Sequence, residues 1–480
     1  MLDVKERSIN QGPSIVRDRL EIIVVIGILL AVLALDLNAV FHGGVQGQDF
    51  YQHRSLAAEA GRDPLKWVLQ GRRRMDPPIY YLFSAAVMRA AGPEHWLVAI
   101  GIVNVLQNIA ALATLYLISR RLIGNSLLRI AAICLTAFLP AFVITSVVFS
   151  CDPACQLPPL IIVYFGILAI QRKIGLRKAL FVCTLAAVFC IGCKFIGSTL
   201  IAGFIMAIIF AVLSRHFSLK QGLAALLFFC GLTVPLQLFF LLQSPTSAAE
   251  PFVGNARVRA VNLPKLQIRS VLFFRHGDWQ LLNAPSHWNL ALNPKTNPPS
   301  FQNRNSYSYP ALLCLGIFTD VLDFFQSKAG LNSEPPEPYL GGALVGKRSA
   351  LNQKMMEISI RTGSVLFLAI MVSVPFFLLS CLIRTLRRRS QNDLLWVGTF
   401  FIATAWLGFI VSLMPFVVGA YTAGYWLPRL VIPAIMLFVL LFFSGLDRYA
   451  FFRHRIVAST LLCLIIGQSL LHCTFLWMHD

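Results

Sequence analysis

The chain carries EIIVVIGILLAVLALDLNAV at residues 21–40, a run with three polar residues among twenty. A helix of this length rises about 30 Å, the thickness of a bilayer's hydrocarbon core. A strand of a membrane barrel would alternate apolar and polar residues, and this run does not. The run therefore predicts a membrane-spanning helix, in which Asp36 is expected to be packed or interfacial rather than catalytic.

The same run is longer than the apolar part of a signal peptide, which has roughly 7–15 residues and ends at small residues. Asp36, Leu37 and Asn38 occupy that place here, without an Ala-x-Ala pattern. We therefore expect an uncleaved signal anchor.

The remaining sequence repeats the pattern of the first run. Of 480 residues, 57% are hydrophobic and 13% charged, whereas a soluble domain has about 25% charged residues. The bilayer admits helices or closed barrels, and continuous apolar runs favour helices. The predicted fold is all-α integral membrane, with about eleven transmembrane helices. Spans are predicted near 21–40, 95–118, 130–149, 157–171, 179–193, 196–213, 222–243, 362–383, 394–415, 430–446 and 456–474.

Two long segments divide the chain into three predicted parts. They are an N-terminal transmembrane module over 1–243 that includes a first outer loop at 41–94, a long outer loop or small subdomain over 244–361, and a C-terminal transmembrane module over 362–480. The first loop ends in a short apolar stretch, 79–91, which suits an interfacial helix because it is too short to span. Loops as long as 244–361 are usually functional or disordered.

The net charge of +20 is distributed in a way that favours membrane topology over nucleic-acid binding. The short segments between spans are basic, as expected of cytoplasmic loops. Examples are Arg120, Arg121 and Arg129; Arg172, Lys173, Arg177 and Lys178; Arg215 and Lys220; Arg384, Arg387, Arg388 and Arg389; and Arg448, Arg453 and Arg455. We expect a bacterial inner membrane protein with a cytoplasmic N-terminus and no nucleic-acid partner.

The two long outer loops also carry many cations, against this trend. Long loops translocate largely regardless of charge, so solubility and lipid-headgroup contact would explain them. Alternatively, these cations bind phosphorylated, anionic substrates. The sequence leaves both interpretations open.

The eleven cysteines do not form a spaced framework. Most lie inside apolar runs, where a free cysteine acts as a small apolar residue. Cys151 and Cys155 flank a short outer turn and are candidates for a disulfide in an oxidising compartment, or for free thiols. No Cys/His spacing resembles a zinc site, and isolated carboxylates are poor divalent sites. No metal and no cofactor are predicted.

Four charged residues lie at or beyond the ends of predicted spans. A charge at bilayer depth costs roughly 2.5–3.5 kcal/mol on insertion scales, so each of these residues requires an explanation. They are Asp49 in GQDFYQH (47–53), Asp152 in SCDP (150–153), Lys194 in GCKF (192–195) and Arg429 in YWLPR (425–429). The predicted topology places all four on one membrane face. A carboxylate that accepts a hydroxyl proton and cations that stabilise a leaving phosphate would suit glycosyl transfer from a lipid-linked sugar.

Each of these residues also has a purely structural interpretation. Asp49 would be a solvated loop residue, and Asp152 would begin a turn before proline. Lys194 and Arg429 would extend to the interface. His53, four residues after Asp49, would share its helix face as an orienting partner or a surface residue rather than a metal ligand.

Five segments resemble the type C glycosyltransferases, which include protein O-mannosyltransferases and lipid A aminoarabinose transferases. They are MDPPIYYLF at 75–83, RRLIG at 120–124, SVVFSCD at 146–152, GCKFI at 192–196 and YWLPRLVIP at 425–433. The resemblance covers roughly 20–245 and 394–446. Two departures are that Gln48 precedes Asp49, where many relatives have two adjacent acidic residues, and that Asp76 stands where relatives have histidine.

The resemblance implies that Asp49 acts at the acceptor and that Lys194 and Arg429 contact the donor phosphate. The predicted site comprises Asp49 and Asp152 as catalytic groups; Lys194, Arg429 and Tyr425 around the donor phosphate; and His53, Asp76 and Tyr81 at the acceptor or pocket.

The leading hypothesis is a glycosyltransferase that uses a polyprenyl-phosphate-linked sugar donor at the periplasmic or lumenal face. Its acceptor would be an acidic glycolipid or glycan. Two alternatives are a membrane transporter or lipid flippase, and a polysaccharide ligase that uses a pyrophosphate-linked glycan.

Overall fold

The computed structural model describes residues 15–41, 50–69, 77–243, 309–318, 349–388, 390–417 and 427–477. Within these ranges the regular elements are all helices. Eight of the helices described are long and apolar enough to cross a membrane, or up to nine if a bent pair is one span. The all-α membrane fold is therefore confirmed, and the count of eleven stays a prediction.

The helices follow the apolar runs closely. They are α1 (Ile15–Phe41), α2 (Phe50–Arg62), α3 (Pro64–Leu69), α4 (Ile79–Leu122), α5 (Ser126–Ala137), α6 (Pro140–Val147), α7 (Leu157–Ile170), α8 (Leu176–Cys193), α9 (Thr199–Leu213), α10 (Leu219–Gln243), α11 (Tyr309–Phe318), α12 (Ala350–Arg388), α13 (Gln391–Val417), α14 (Leu427–Leu446), α15 (Ala450–Arg453) and α16 (Arg455–Trp477). Two short 3-10 turns, Pro153–Cys155 and Phe195–Ser198, complete the described elements.

Helix α4 contains a break that separates its first turns from its spanning part. Gly92 has a φ of 75° there, directly before Pro93, in a region of backbone conformation that favours glycine. A straight helix of 44 residues would be about 66 Å long, roughly twice the hydrocarbon core. A helix thus covers 79–91, as predicted, and it is distinct from the span that follows.

Two helices, α5 and α6, occupy the region of the predicted single span at 130–149. Helices α5 and α6 meet at an angle of 56°, just before Pro140, which has no N–H to donate. The carbonyl oxygen of Phe138, next to the bend, accepts a hydrogen bond from Nδ1 of the buried His472 at 2.8 Å. A side chain of α16 thus satisfies the backbone at the bend.

We expect His472→Leu to lower the free energy of unfolding by about 1–3 kcal/mol, the usual cost of leaving a buried polar group without a partner. Thermal unfolding of the purified protein measures the loss. His454→Leu is the matched control, because His454 is exposed. Equal melting temperatures for both variants would contradict this role of His472.

The short basic turns meet at one end of the bundle. Contacts between them include Gly124 N donating to Asp447 Oδ2 at 2.7 Å, Asp393 pairing with Arg384 and Arg448, and Gln391 Nε2 donating to Ile170 O at 2.6 Å. Helix α7 begins at the opposite end and reaches this one at Ile170, whereas α8 runs back towards Lys194. The segments that carry Asp152 and Lys194 therefore lie at the opposite end.

Two acidic residues of α1 are buried. Glu21 is paired with Arg129 of α5 and also accepts a hydrogen bond from the hydroxyl of Tyr116 at 3.0 Å. Asp36 is fully buried and accepts a hydrogen bond from Asn108 Nδ2 at 3.1 Å. Asp36 is thus packed inside the bundle, as predicted.

Candidate functional site

The carboxylate of Asp152 and the ammonium of Lys194 form a direct ion pair. The Asp152 side chain is 2% exposed and that of Lys194 is 15% exposed, so the cation is the more accessible partner. The hydroxyl of Ser150 donates to the second carboxylate oxygen of Asp152 at 3.1 Å. The sequence predicted Asp152 and Lys194 as separate site residues, and the structure brings them together.

Lys194 lies where the chain leaves α8. Its backbone is extended, with φ −155° and ψ 139°, and its carbonyl accepts from Gly197 N at 2.9 Å. Gly197 packs so tightly that a Cβ there would lie 2.6 Å from the carbonyl carbon of Cys190. This close reversal of the chain fixes where the Lys194 side chain begins.

We expect Gly197→Ala to destabilise the protein and to lower the activity of the remaining folded fraction. The added methyl group meets rigid backbone atoms, so the turn that carries Lys194 has to shift. Thermal unfolding measures the first effect, and an activity assay normalised to folded protein measures the second. Gly408→Ala is the control, because a Cβ there meets nothing within 4 Å. A Gly197→Ala variant that behaves like Gly408→Ala would contradict the argument.

Asp152 lies in the connection between α6 and α7. It directly precedes the 3-10 turn Pro153–Cys155, and its carbonyl accepts from Cys155 N at 3.0 Å. The flanking Cys151 and Cys155 are both buried, and no disulfide joins them in the described structure. Asp152 therefore begins a turn and forms an ion pair at the same time.

Gln156, beside this turn, is a further candidate for the site that the sequence reasoning missed. It is 1% exposed, and both polar atoms of its amide lack a hydrogen-bond partner among the described residues. A polar residue four positions after Asp152, at the start of an apolar run, was the available signal.

A group of five buried rings, here called the aromatic cluster, consists of His53, Tyr80, Tyr81, Trp96 and Phe149. His53 Nδ1 is 2.8 Å from the hydroxyl of Tyr81, and the two rings stack at 5.7 Å. The ring of Phe149 lies 6.2 Å from that of His53, 5.9 Å from Tyr80 and 5.5 Å from Trp96. His53 is therefore buried beside Tyr81 rather than at the surface, and the role of both residues at an acceptor or pocket stays a prediction.

Phe149 connects the aromatic cluster to the ion pair, because it lies three residues before Asp152 in the same connection. Asn104 of α4 donates from Nδ2 to the carbonyl oxygen of Val148, the residue before Phe149, at 2.9 Å, so the helix that carries Tyr80 and Trp96 also holds this connection. The aromatic cluster and the ion pair thus form one candidate site.

Close packing of α4 on α8 holds this arrangement. A Cβ at Gly192 would lie 2.1 Å from Cδ1 of Ile79, so glycine lets the start of α4 approach the end of α8. Tyr80 and Tyr81 follow Ile79 directly and are thereby placed beside the Lys194 turn.

Four other predicted site residues have no described side chain. Asp49, Asp76 and Tyr425 lie outside the described residues, and Arg429 lies in α14 without a described side chain. Their roles stay predictions. Among the residues that the structure describes, no group of three or more His, Cys, Asp or Glu is arranged to hold a metal ion.

The described site combines one partly accessible ammonium with a group of buried rings. An ammonium donates up to three hydrogen bonds, and charge-assisted bonds to phosphate are roughly twice as strong as neutral ones. Aromatic walls with a few convergent polar groups are typical of small-molecule sites. The site therefore suits a ligand that has both a ring and an anionic group.

No protein-family model and no curated protein matches the sequence. Among solved structures, the chain is similar to ArnT from Cupriavidus metallidurans bound to undecaprenyl phosphate, with 14% identity, 88% of this chain and 77% of ArnT covered, and a TM-score of 0.36. The apo state of ArnT matches with 14% identity, 90% and 77% coverage and a TM-score of 0.36.

The chain is also similar to the Archaeoglobus fulgidus oligosaccharyltransferase in complex with Zn and sulfate. The identity is 11% and the TM-score 0.47, over 94% of this chain and 53% of that one, so this chain spans about half the length of the oligosaccharyltransferase. These neighbours, ArnT and the oligosaccharyltransferase, are both type C glycosyltransferases.

Proposed function

We propose that the protein is a glycosyltransferase that moves a sugar from a polyprenyl-phosphate donor to an acceptor hydroxyl. The observation that carries the proposal is the buried Asp152–Lys194 ion pair beside the aromatic cluster, at the end of the bundle away from the short basic turns. A lipid-linked donor keeps its tail in the bilayer while its head reaches such a pocket.

In the proposed reaction, the acceptor oxygen attacks the anomeric carbon, and the bond from that carbon to the phosphate oxygen breaks. Asp49, which directly precedes α2, takes the hydroxyl proton. The electron pair of the broken bond stays on the phosphate, where Lys194 stabilises the developing charge. Asp152 holds the ammonium in place, and the anomeric configuration inverts.

The remaining predicted residues complete the proposal. Arg429 and Tyr425 contact the donor phosphate, and Asp76 joins His53 and Tyr81 at the acceptor side. The acceptor is an acidic glycolipid or glycan that the cations of segment 244–361 attract. The reaction takes place at the periplasmic or lumenal face, with a bacterial inner membrane as the proposed location.

Membranes that contain the protein, supplied with a labelled polyprenyl-phosphate sugar, test the proposal. We expect label to move to a glycolipid or glycan fraction with wild-type protein and not with Asp49→Asn or Lys194→Ala. Arg455→Ala is the control, because Arg455 is exposed at the end of the bundle where the short basic turns meet. Normal transfer by both site variants would overturn the proposal, as would vectorial uptake without transfer, or activity confined to a pyrophosphate-linked glycan.

A further inference from the structure

An apolar cavity lies among α7, α8, α9 and α13, apart from the candidate site. Its empty volume is about 630 Å³, including its open mouth. Among the residues that line it, Thr399 provides a hydroxyl group, and this hydroxyl already donates to the carbonyl oxygen of Leu395 at 2.9 Å. The cavity thus offers an occupant apolar contacts and favours a hydrocarbon chain.

Small residues on the facing helices create this space. Gly166, Ala179, Ala207, Ala211 and Gly398 all line it. A Cβ at Gly166 would meet nothing within 4 Å, and one at Gly398 would meet the Ala207 methyl at 3.9 Å. The neighbouring side chains therefore do not fill the gap between the helices.

The cavity reaches the end of the bundle where the short basic turns meet. Ile170, Leu176 and Phe217 line it there. The turn between α7 and α8 and the turn between α9 and α10, with the helix starts that follow them, carry six exposed cations at this mouth. These are Arg172, Lys173, Arg177, Lys178, Arg215 and Lys220. None of the ion pairs between described residues includes them. An apolar cleft with a cationic mouth is complementary to a lipid with an anionic head.

We propose that this cavity binds an acyl chain of an anionic phospholipid whose phosphate contacts the cations of the two turns. Basic pockets between membrane helices bind anionic head groups in this way. Lipid tails are as apolar as leucine, so burying the tail alone provides little driving force in a bilayer. The cations therefore supply the affinity, and the cavity supplies the fit to a chain. This site is independent of the proposed glycosyl transfer.

Native mass spectrometry of the purified full chain, titrated with phosphatidylglycerol or phosphatidylcholine, tests the proposal. We expect saturable binding of phosphatidylglycerol and much weaker binding of phosphatidylcholine. Lys173→Gln/Arg177→Gln should weaken phosphatidylglycerol binding about 25-fold, at about fivefold for each cation near a membrane surface. Gly166→Leu should abolish the tight site, because its side chain occupies the cavity without a backbone clash.

Matched controls distinguish specific lipid binding in the cavity from general attraction of anionic lipid to a basic surface. Arg453→Gln/Arg455→Gln removes two exposed cations from the same end of the bundle, and Gly467→Leu adds a side chain in α16 where nothing lies within 4 Å. Both should bind phosphatidylglycerol like the wild type.

Three results would overturn the proposal. One is an equal loss of binding in the site and control variants, and another is unchanged binding in both site variants. The third is complete displacement of phosphatidylglycerol by equimolar undecaprenyl phosphate, which would assign the cavity to a polyprenyl chain. Thermal unfolding confirms that each variant is folded before it is titrated.

Discussion

Neutralising either partner of the Asp152–Lys194 pair is expected to reduce sugar transfer per folded molecule by about 100- to 1,000-fold. This is the usual effect of removing one group that stabilises developing negative charge. Lys194→Met removes the cation itself, and Asp152→Asn removes the carboxylate that holds it. Initial rates with a labelled polyprenyl-phosphate sugar, normalised to folded protein, measure the loss.

Each single variant is also expected to be less stable by about 3–5 kcal/mol, because the other charge stays buried without its partner. The double variant Asp152→Asn/Lys194→Met removes both charges and should regain much of this stability. It should not regain activity, since the phosphate then lacks the Lys194 ammonium. Transfer at a wild-type rate by the double variant would show that the pair has a structural role alone.

The second large effect is expected at the opposite end of the bundle, where Arg129→Met should lower the free energy of unfolding by about 3–5 kcal/mol. Arg129 pairs with Glu21 and donates to the carbonyls of Ile123 and Gly124 at 2.8 and 2.9 Å. Its loss leaves a buried carboxylate and two carbonyls without these donors. Denaturant or thermal unfolding in detergent measures the change.

Transfer per folded molecule should stay close to the wild-type value in Arg129→Met. Glu21→Gln/Arg129→Met should recover part of the stability, because no charge is then left buried. A loss of activity in Arg129→Met that exceeds the loss of folded protein would contradict a purely structural role for the Arg129–Glu21 pair.

The two buried ion pairs are matched controls for each other. The side chains of Arg129 and Glu21 are 11% and 3% exposed, compared with 15% and 2% for Lys194 and Asp152. Their loss should therefore destabilise the protein to a similar degree. Only the loss of the Asp152–Lys194 pair is expected to stop the chemistry, since only that pair lies beside the aromatic cluster.

The helices and several candidate site residues could be predicted from the sequence because the evidence for them is local. A backbone in hydrocarbon satisfies its own hydrogen bonds within a helix, so an apolar run of sufficient length predicts a span wherever it lies in the chain. Asp152 and Lys194 stood out because charges near a membrane are costly. The bend between α5 and α6 was missed, because a run of apolar residues does not show that the helix breaks before Pro140.

The sequence by itself determined that the chain forms apolar helices and which charged residues interrupt them, since both follow from the cost of placing polar groups in hydrocarbon. Only the tertiary structure decided which of those residues meet. His53 contacts Tyr81 across 28 residues, Lys194 contacts Asp152 across 42, and Arg129 contacts Glu21 across 108. Such partners are chosen by how the helices pack, and helix packing depends on the shapes of many side chains from distant parts of the chain.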